Sequence, residues 1–163
     1  MKKNSFFYDF FKEYRISDWI EIMDWIFDDN KFASEFGWEK GKLQKLTSAI
    51  KELDAVRNGV FVYNKRSEVS PGDYNRKKNR RKKSIIIMVT GQGVSRDLIR
   101  HIRNGIAHGR AQLCTRNGCR HLEIIDYGKF GEKIERSGQT AYILIPVYSI
   151  RELYDAYNRI QQY

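Results

Sequence analysis

The hydrophobic periodicity of this chain changes at Gly109, and that change limits the folds it can adopt. Before Gly109, apolar residues recur mainly at helical spacing; after it they alternate with polar residues, as in a strand with one buried face. Glycine is suited to the position that ends a helix, because it adopts positive φ without a steric penalty. The sequence therefore predicts helices that are followed by a small β-structure.

Five helices are predicted from apolar residues that fall on one helical face. The stripes lie within residues 6–11, 19–27, 43–56, 98–106 and 150–160. The third stripe is predicted to end at Asn58-Gly59. Three serines are predicted as N-caps, since a hydroxyl can accept a bond from a free backbone N–H; they are Ser17, Ser95 and Ser149.

The β-structure is predicted around Asn117-Gly118, a dipeptide typical of two-residue hairpin turns. Residues 112–114 and 121–125 flank this turn and are predicted as its two strands. Alternating apolar residues at 139–147 predict a third strand. The continuous apolar run Ile85–Val89 fits either a strand or a buried helix, and its pattern does not choose between them.

A length of 163 residues favours a single domain spanning residues 1–163. The formal net charge of +10 favours a polyanionic partner, nucleic acid first and an anionic membrane surface second. The longest apolar run, at 85–89, is far too short to cross a bilayer, and polar residues interrupt any signal-peptide core near the N-terminus. We therefore expect a cytoplasmic protein without a membrane partner.

Residues 65–83 differ in composition from the rest and predict a basic, mobile loop within the domain. Seven of the nine residues at 75–83 are basic, and repulsion between like charges opposes folding of such a segment. These side chains predict an RNA-binding arm; a solvated loop with no dedicated ligand is the other interpretation. The basic residues are Arg76, Lys77, Lys78, Arg80, Arg81, Lys82 and Lys83.

The end of the fourth predicted helix carries the residues most suited to chemistry, Arg103, Asn104 and His108. Each of the three histidines has an Arg five residues before it, so spacing alone does not select this pair. The position on the helix does select this pair. Asn104 precedes His108 by four residues, so its side chain is predicted to bond the imidazole and orient it. The C-terminal end of a helix also favours an imidazolium.

The spacing of Arg103 and His108 has a consequence for assembly. Five residues of helix separate them by about 7.5 Å along the axis and about 140° around it. A single straight helix does not easily bring both side chains onto one phosphate. Two copies related by a two-fold axis would form a composite cleft, so the spacing makes a homodimer plausible.

Residues Leu98–Gly109 resemble the signature of the HEPN superfamily, in which an Arg and a polar residue are followed, three to five residues later, by a His. The resemblance implies a mainly α fold, a HEPN-like antiparallel helical bundle, to which this chain adds a small β-hairpin or sheet after the motif helix and a C-terminal helix. It also implies a metal-independent ribonuclease, a homodimer whose Arg and His residues line one cleft, and a role as a toxin or phage-defence effector, with an antitoxin or regulatory protein as partner.

The functional expectation is RNA cleavage without a metal or cofactor. Arg103 would hold the scissile phosphate, Asn104 would orient His108, and His108 would move protons. Arg100 and Arg110 would widen the RNA-binding surface. The two cysteines alone lack the four ligands of a structural zinc site. The alternative is a non-catalytic module that binds RNA or a nucleotide.

Overall fold

The computed structural model of the protein describes residues 5–28, 40–65, 82–91, 93–127 and 138–162. Six helices and five strands lie within these ranges. The helices are α1 (Ser5–Glu13), α2 (Ile16–Phe27), α3 (Lys40–Glu52), α4 (Asp54–Arg57), α5 (Val94–Ala107) and α6 (Val147–Gln161). The strands are β1 (Val60–Asn64), β2 (Ile85–Val89), β3 (Ala111–Arg116), β4 (Cys119–Tyr127) and β5 (Gln139–Pro146).

The five strands form one mixed sheet in the order β1-β2-β5-β4-β3. Strand β1 runs parallel to β2, whereas the β2–β5, β5–β4 and β4–β3 pairs are antiparallel. The hairpin β3–β4 is therefore joined to the β1–β2 pair through β5, which lies in the centre of the sheet.

The expectation of a mainly α, HEPN-like antiparallel helical bundle is wrong, because this sheet makes the protein an α/β fold. Two segments account for the difference. Val60–Asn64 is a strand that the sequence did not predict, and the apolar run Ile85–Val89, left open between strand and helix, is a strand. These two strands and β5 extend the predicted hairpin into a sheet that runs through the protein.

The central strands bury both faces of the sheet. Alternate residues of β2 and β5, such as Ile86 and Ile143, belong to the large core shared with the helices. The residues between them, such as Ile87 and Leu144, form a second apolar cluster on the other face. Burial on both faces explains why β2 reads as a continuous apolar run rather than an alternating one.

The predicted local β-structure is confirmed. Asn117 and Gly118 have φ of 51° and 74°, as a two-residue turn between tightly paired strands requires. The third predicted strand is β5. Gly109 ends α5 with φ of 71°.

The predicted N-caps are wrong, because each helix begins one or two residues earlier than its serine. Helix α2 follows Arg15, α5 follows Gly93 and α6 follows Pro146, and none of these residues makes a side-chain cap. The third predicted helix is also divided: Leu53 is extended, with ψ of 132°, and separates α3 from α4. In the described part of the chain, none of the helices has the length and apolar character needed to cross a membrane.

Candidate functional site

Helix α5 lies unusually close to β4, because Gly105 faces the sheet. A Cβ atom at this position would overlap the side chain of Ile124. The missing side chain lets the helix backbone approach the strand, and it brings Asn104 beside Asp126 at the end of β4. Glycine thus has a packing role in the Arg-Asn-Gly sequence.

Asp126 is a buried carboxylate, 3% exposed, that accepts bonds from three directions. Its Oδ2 lies 2.7 Å from Nδ1 of His101 and 3.4 Å from the Nδ2 donor of Asn104. Its Oδ1 accepts the backbone N–H of Tyr127 at 3.0 Å. The carboxylate therefore fixes helix α5 to the end of β4 through two side chains.

His101 is buried between two oxygen atoms. While Nδ1 faces Asp126, Nε2 lies 2.8 Å from the carbonyl oxygen of Val89 on β2. Both ring nitrogens of His101 therefore face an oxygen atom, one on β4 and one on β2, and the two contacts fix the ring.

Arg103 reaches the same cluster from the edge of the protein. Its Nη2 donates to Oδ1 of Asn104 at 3.3 Å, so the amide of Asn104 connects the guanidinium to Asp126. Partial burial lowers the pKa of Arg103, and the charge of Asp126 opposes that shift. Arg103 is thus a half-buried cation that is connected to the buried carboxylate through Asn104.

His108 is exposed at the end of α5. It adopts φ of −92° and ψ of 9°, and its backbone N–H donates to the carbonyl oxygen of Asn104 at 2.9 Å. The expected bond between the Asn104 side chain and the His108 ring is not formed, because the amide bonds Arg103 and Asp126. Asn104 is only 9% exposed and faces inward.

The structure separates the three Arg–His pairs by accessibility. His101 and His121 are 3% and 4% exposed, and both ring nitrogens of each face oxygen atoms. For His121 these are the carbonyl oxygens of Cys119 and Lys83, at 2.9 and 3.0 Å. His108 is the histidine that a substrate can reach without opening the protein.

The predicted RNA-binding residues are only partly described. Arg100 pairs with buried Asp97 at 2.9 Å, and Lys83 pairs with Asp54 at 2.6 Å. Lys82 is exposed. The other basic residues of the predicted arm lie outside the described residues, as does most of the predicted mobile loop; they are Arg76, Lys77, Lys78, Arg80 and Arg81.

A cleft of about 430 Å³ opens directly after His108. Its walls come from the turn after α5, the edge strand β3, the end of β4 and helix α1. Arg110 lies in this cleft with its guanidinium carbon 4.4 Å from the centre of the Tyr127 ring. The cleft and the exposed imidazole therefore occupy the same end of α5.

Within the described ranges, no group of three or more His, Cys, Asp or Glu residues is arranged to hold a metal ion. Comparison of the chain with family models, with curated proteins and with solved structures found no match. The interpretation of the site therefore depends on its own geometry.

Sequence reasoning missed Asp126 and set aside His101. A signal for Asp126 was present: Leu122, Ile124 and Asp126 alternate on one strand, so the carboxylate shares the core-facing side of two buried apolar residues. A buried carboxylate in such a position needs partners, and the structure supplies them from α5.

Proposed function

We propose that this protein is a metal-independent endoribonuclease whose reactive groups are His108 and Arg103. The observation that carries the proposal is the contrast between the two residues. His108 is exposed at the end of α5, whereas Arg103 is half-buried and connected through Asn104 to a buried carboxylate. An accessible proton carrier and a fixed cation are two of the groups that cleavage of a phosphodiester needs.

The reaction uses the ribose itself as the nucleophile. The imidazole of His108 removes the proton from a 2′-hydroxyl, and the 2′-oxygen forms a bond to phosphorus. The bond between phosphorus and the 5′-oxygen breaks, and an imidazolium donates a proton to that leaving oxygen. The products are a 2′,3′-cyclic phosphate and a 5′-hydroxyl, and Arg103 offsets the charge that grows on the phosphate oxygens. DNA resists because it lacks the 2′-hydroxyl.

Two protons are transferred, one to a base and one from an acid, and one His108 per chain supplies one of these groups at a time. A homodimer supplies two. The proposal therefore includes a composite cleft in which both protomers contribute His108 and Arg103. Sedimentation should show a dimer at the concentrations at which RNA is cleaved; a monomer that cleaves RNA would overturn the composite site.

The test is cleavage of a labelled structured RNA in EDTA by the wild-type protein and by His108→Ala. Arg159→Ala removes a solvent-exposed cation on α6 and is the control for a general loss of charge. Arg103→Lys keeps the charge and tests whether the two-pronged hydrogen bonding of the guanidinium is needed. We expect cleavage by the wild type and the control, and a loss of at least about 100-fold in His108→Ala. Equal cleavage by wild type and His108→Ala, or its abolition by EDTA, would refute the mechanism.

One observation favours a second function, a non-catalytic module that binds RNA or a nucleotide. Among the described residues no side chain bonds the His108 ring, so the imidazole is not oriented as general bases often are. In that case wild type and His108→Ala would both bind RNA and neither would cleave it. The expected roles as toxin or phage-defence effector, and the expected antitoxin or regulatory partner, stay predictions that draw on the resemblance of residues 98–109 alone.

A further inference from the structure

The cleft beside His108 runs along the edge strand β3 between α1 and β4, and several polar side chains in its lining lie on the sheet face opposite the large core. Arg110 follows α5 and pairs with Ile125, since its carbonyl oxygen accepts the Ile125 N–H at 3.1 Å. Gln112 pairs with Glu123 on the same two strands. Because residues two apart on a strand share a face, the side chains of Arg110, Gln112, Glu123 and Ile125 lie on one side of the sheet.

Arg110 is held in place but has an unused donor. Its guanidinium lies over the ring of Tyr127, with 4.4 Å from the guanidinium carbon to the ring centre. Its Nη1 is buried and has no hydrogen-bond partner. A buried N–H without an acceptor costs free energy, and rotation of the guanidinium toward a ligand acceptor in the cleft would remove that cost.

Glu123 is a fixed acceptor at the other end of the group. Its Oε1 accepts the side-chain amide of Gln112 at 2.5 Å, and its Oε2 accepts the hydroxyl of Tyr142 at 2.7 Å. Burial, followed by this contact with Glu123, raises the pKa of Tyr142, so the tyrosine remains a donor and keeps the carboxylate in position. Two bonds use about half of the acceptor sites of a carboxylate, which leaves about two for a ligand.

The two ends of this group lie on either side of Ile125. Glu123 and Tyr127 are each two residues from Ile125 on β4, and the Arg110 guanidinium lies over the Tyr127 ring. Ile125 lies between them and gives this part of the cleft an apolar floor. Since Arg110 extends over Tyr127, the space over Ile125 has a cation at one end and a carboxylate at the other.

We propose that this cleft binds a guanine base of the RNA substrate, with Arg110 at its O6 and N7 acceptors and Glu123 at its N1–H and 2-amino donors. Guanine carries these two acceptors on one edge and these two donors on the next. Adenine keeps N7 but presents an N6 donor in place of O6, so Arg110 would lose one of its two bonds, and adenine N1 has no proton for Glu123. A pyrimidine has no N7 and so lacks this pair of acceptors.

This inference depends on the proposed function for its position in the reaction. Arg110 is two residues after His108, and Gly109 between them lines the cleft. A base bound here would belong to a nucleotide next to the phosphate that His108 acts on. The enzyme would then cleave beside guanines.

The first test measures binding of GMP, IMP, AMP, CMP and UMP to the wild-type protein by calorimetry. We expect GMP to bind at least about tenfold more tightly than AMP, CMP or UMP, as the loss of one bidentate contact implies. IMP lacks only the 2-amino group, so it should bind more weakly than GMP but more tightly than AMP. Equal affinity for all five nucleotides would overturn the proposal, and this comparison needs no variant that must fold.

Three variants then assign the contacts. Glu123→Gln should bind GMP and IMP equally, and Arg110→Gln should lose the preference for GMP over AMP. Arg159→Ala should bind GMP as the wild type does, because this exposed cation on α6 lies outside the cleft lining. A preference for GMP that survives both Glu123→Gln and Arg110→Gln would overturn the assignment.

Cleavage assays separate this inference from the proposed function. RNAs with a single guanosine in a run of other bases should be cut next to that guanosine. Cleavage without base preference would overturn the guanine site but would still support the proposal that the protein is a ribonuclease. Selective binding of GMP by a protein that cleaves no RNA would support the guanine site and overturn the ribonuclease.

Discussion

Replacement of Asp126 by alanine is expected to lower the free energy of unfolding by about 3–5 kcal/mol, because it leaves several buried donors without an acceptor, at about 1–3 kcal/mol for each unsatisfied group. The carboxylate is 3% exposed, and it accepts from His101, Asn104 and the backbone of Tyr127. None of these donors has water as a ready substitute at that depth. Against a typical total stability of about 5–15 kcal/mol, the loss is large enough to measure.

The asparagine variant separates charge from shape. Asp126→Asn keeps an oxygen acceptor and almost the same volume, so we expect it to lose less, about 1–3 kcal/mol, the cost of weakening bonds to a charged group. Asp155→Ala, at an exposed position on α6, is the control and should change stability by less than about 0.5 kcal/mol.

Urea unfolding followed by circular dichroism measures these differences, and unchanged denaturant slopes would show that the variants unfold in the same way. A double-mutant cycle with His101→Ala should give a coupling free energy of about 0.5–3 kcal/mol, because the two side chains share one buried contact. An Asp126→Ala variant as stable as the Asp155→Ala control would refute the buried pair and the anchoring of Arg103 that depends on it.

Two further predictions concern packing and ionisation. Gly105→Ala should lower the free energy of unfolding in urea by about 1–3 kcal/mol, because the new Cβ overlaps Ile124. Gly41 is a helical glycine with open space around it, so Gly41→Ala should be neutral or stabilising by up to about 1 kcal/mol. Equal effects of the two variants would contradict the close approach of α5 and β4. The raised pKa of Tyr142 means that the folded protein keeps this proton when the unfolded chain loses it, so its contribution to stability is complete below pH 10 and is lost as the pH rises above about 10. Tyr142→Phe should remove phenolate absorbance from the highest-pH part of an alkaline titration and weaken the fall in stability above pH 10. Loss of absorbance near pH 10 instead would contradict the contact with Glu123.

The features predicted correctly from the sequence are those specified by neighbouring residues. The two-residue turn at Asn117-Gly118 requires positive φ at both positions, and this dipeptide adopts it readily. Helix α5 has an apolar stripe over several turns and a glycine at its end, so both its type and its C-terminal boundary were predicted. Its start differed by two residues, since the N-cap is Gly93 rather than Ser95, whose hydroxyl bonds the carbonyl oxygen of Leu43 instead.

The features that were missed depend on contacts between distant parts of the chain. Val60–Asn64 is a strand because it pairs in parallel with Ile85–Val89, more than 20 residues later, and nothing local distinguishes it from a loop after α4. The candidate functional site also depends on contacts between distant parts of the chain. Asp126 and Asn104 meet through the packing of α5 on β4, and a helical wheel that treats α5 alone assigns Asn104 to the solvent side.

The accessibility of His108 follows from the place where α5 ends. His101 and His108 are seven residues apart, so on a continuous helix they would point in nearly the same direction, toward the sheet. The helix ends at Ala107, and Gly109 takes φ of 71°, which turns the chain away after His108. His108 is thus exposed to solvent, while His101 remains bonded to Asp126. Gly109→Ala should cost about 1–2 kcal/mol through strain in the left-handed region, and cleavage by the folded fraction should fall as the imidazole shifts; a variant of wild-type stability would show that this turn does not need glycine.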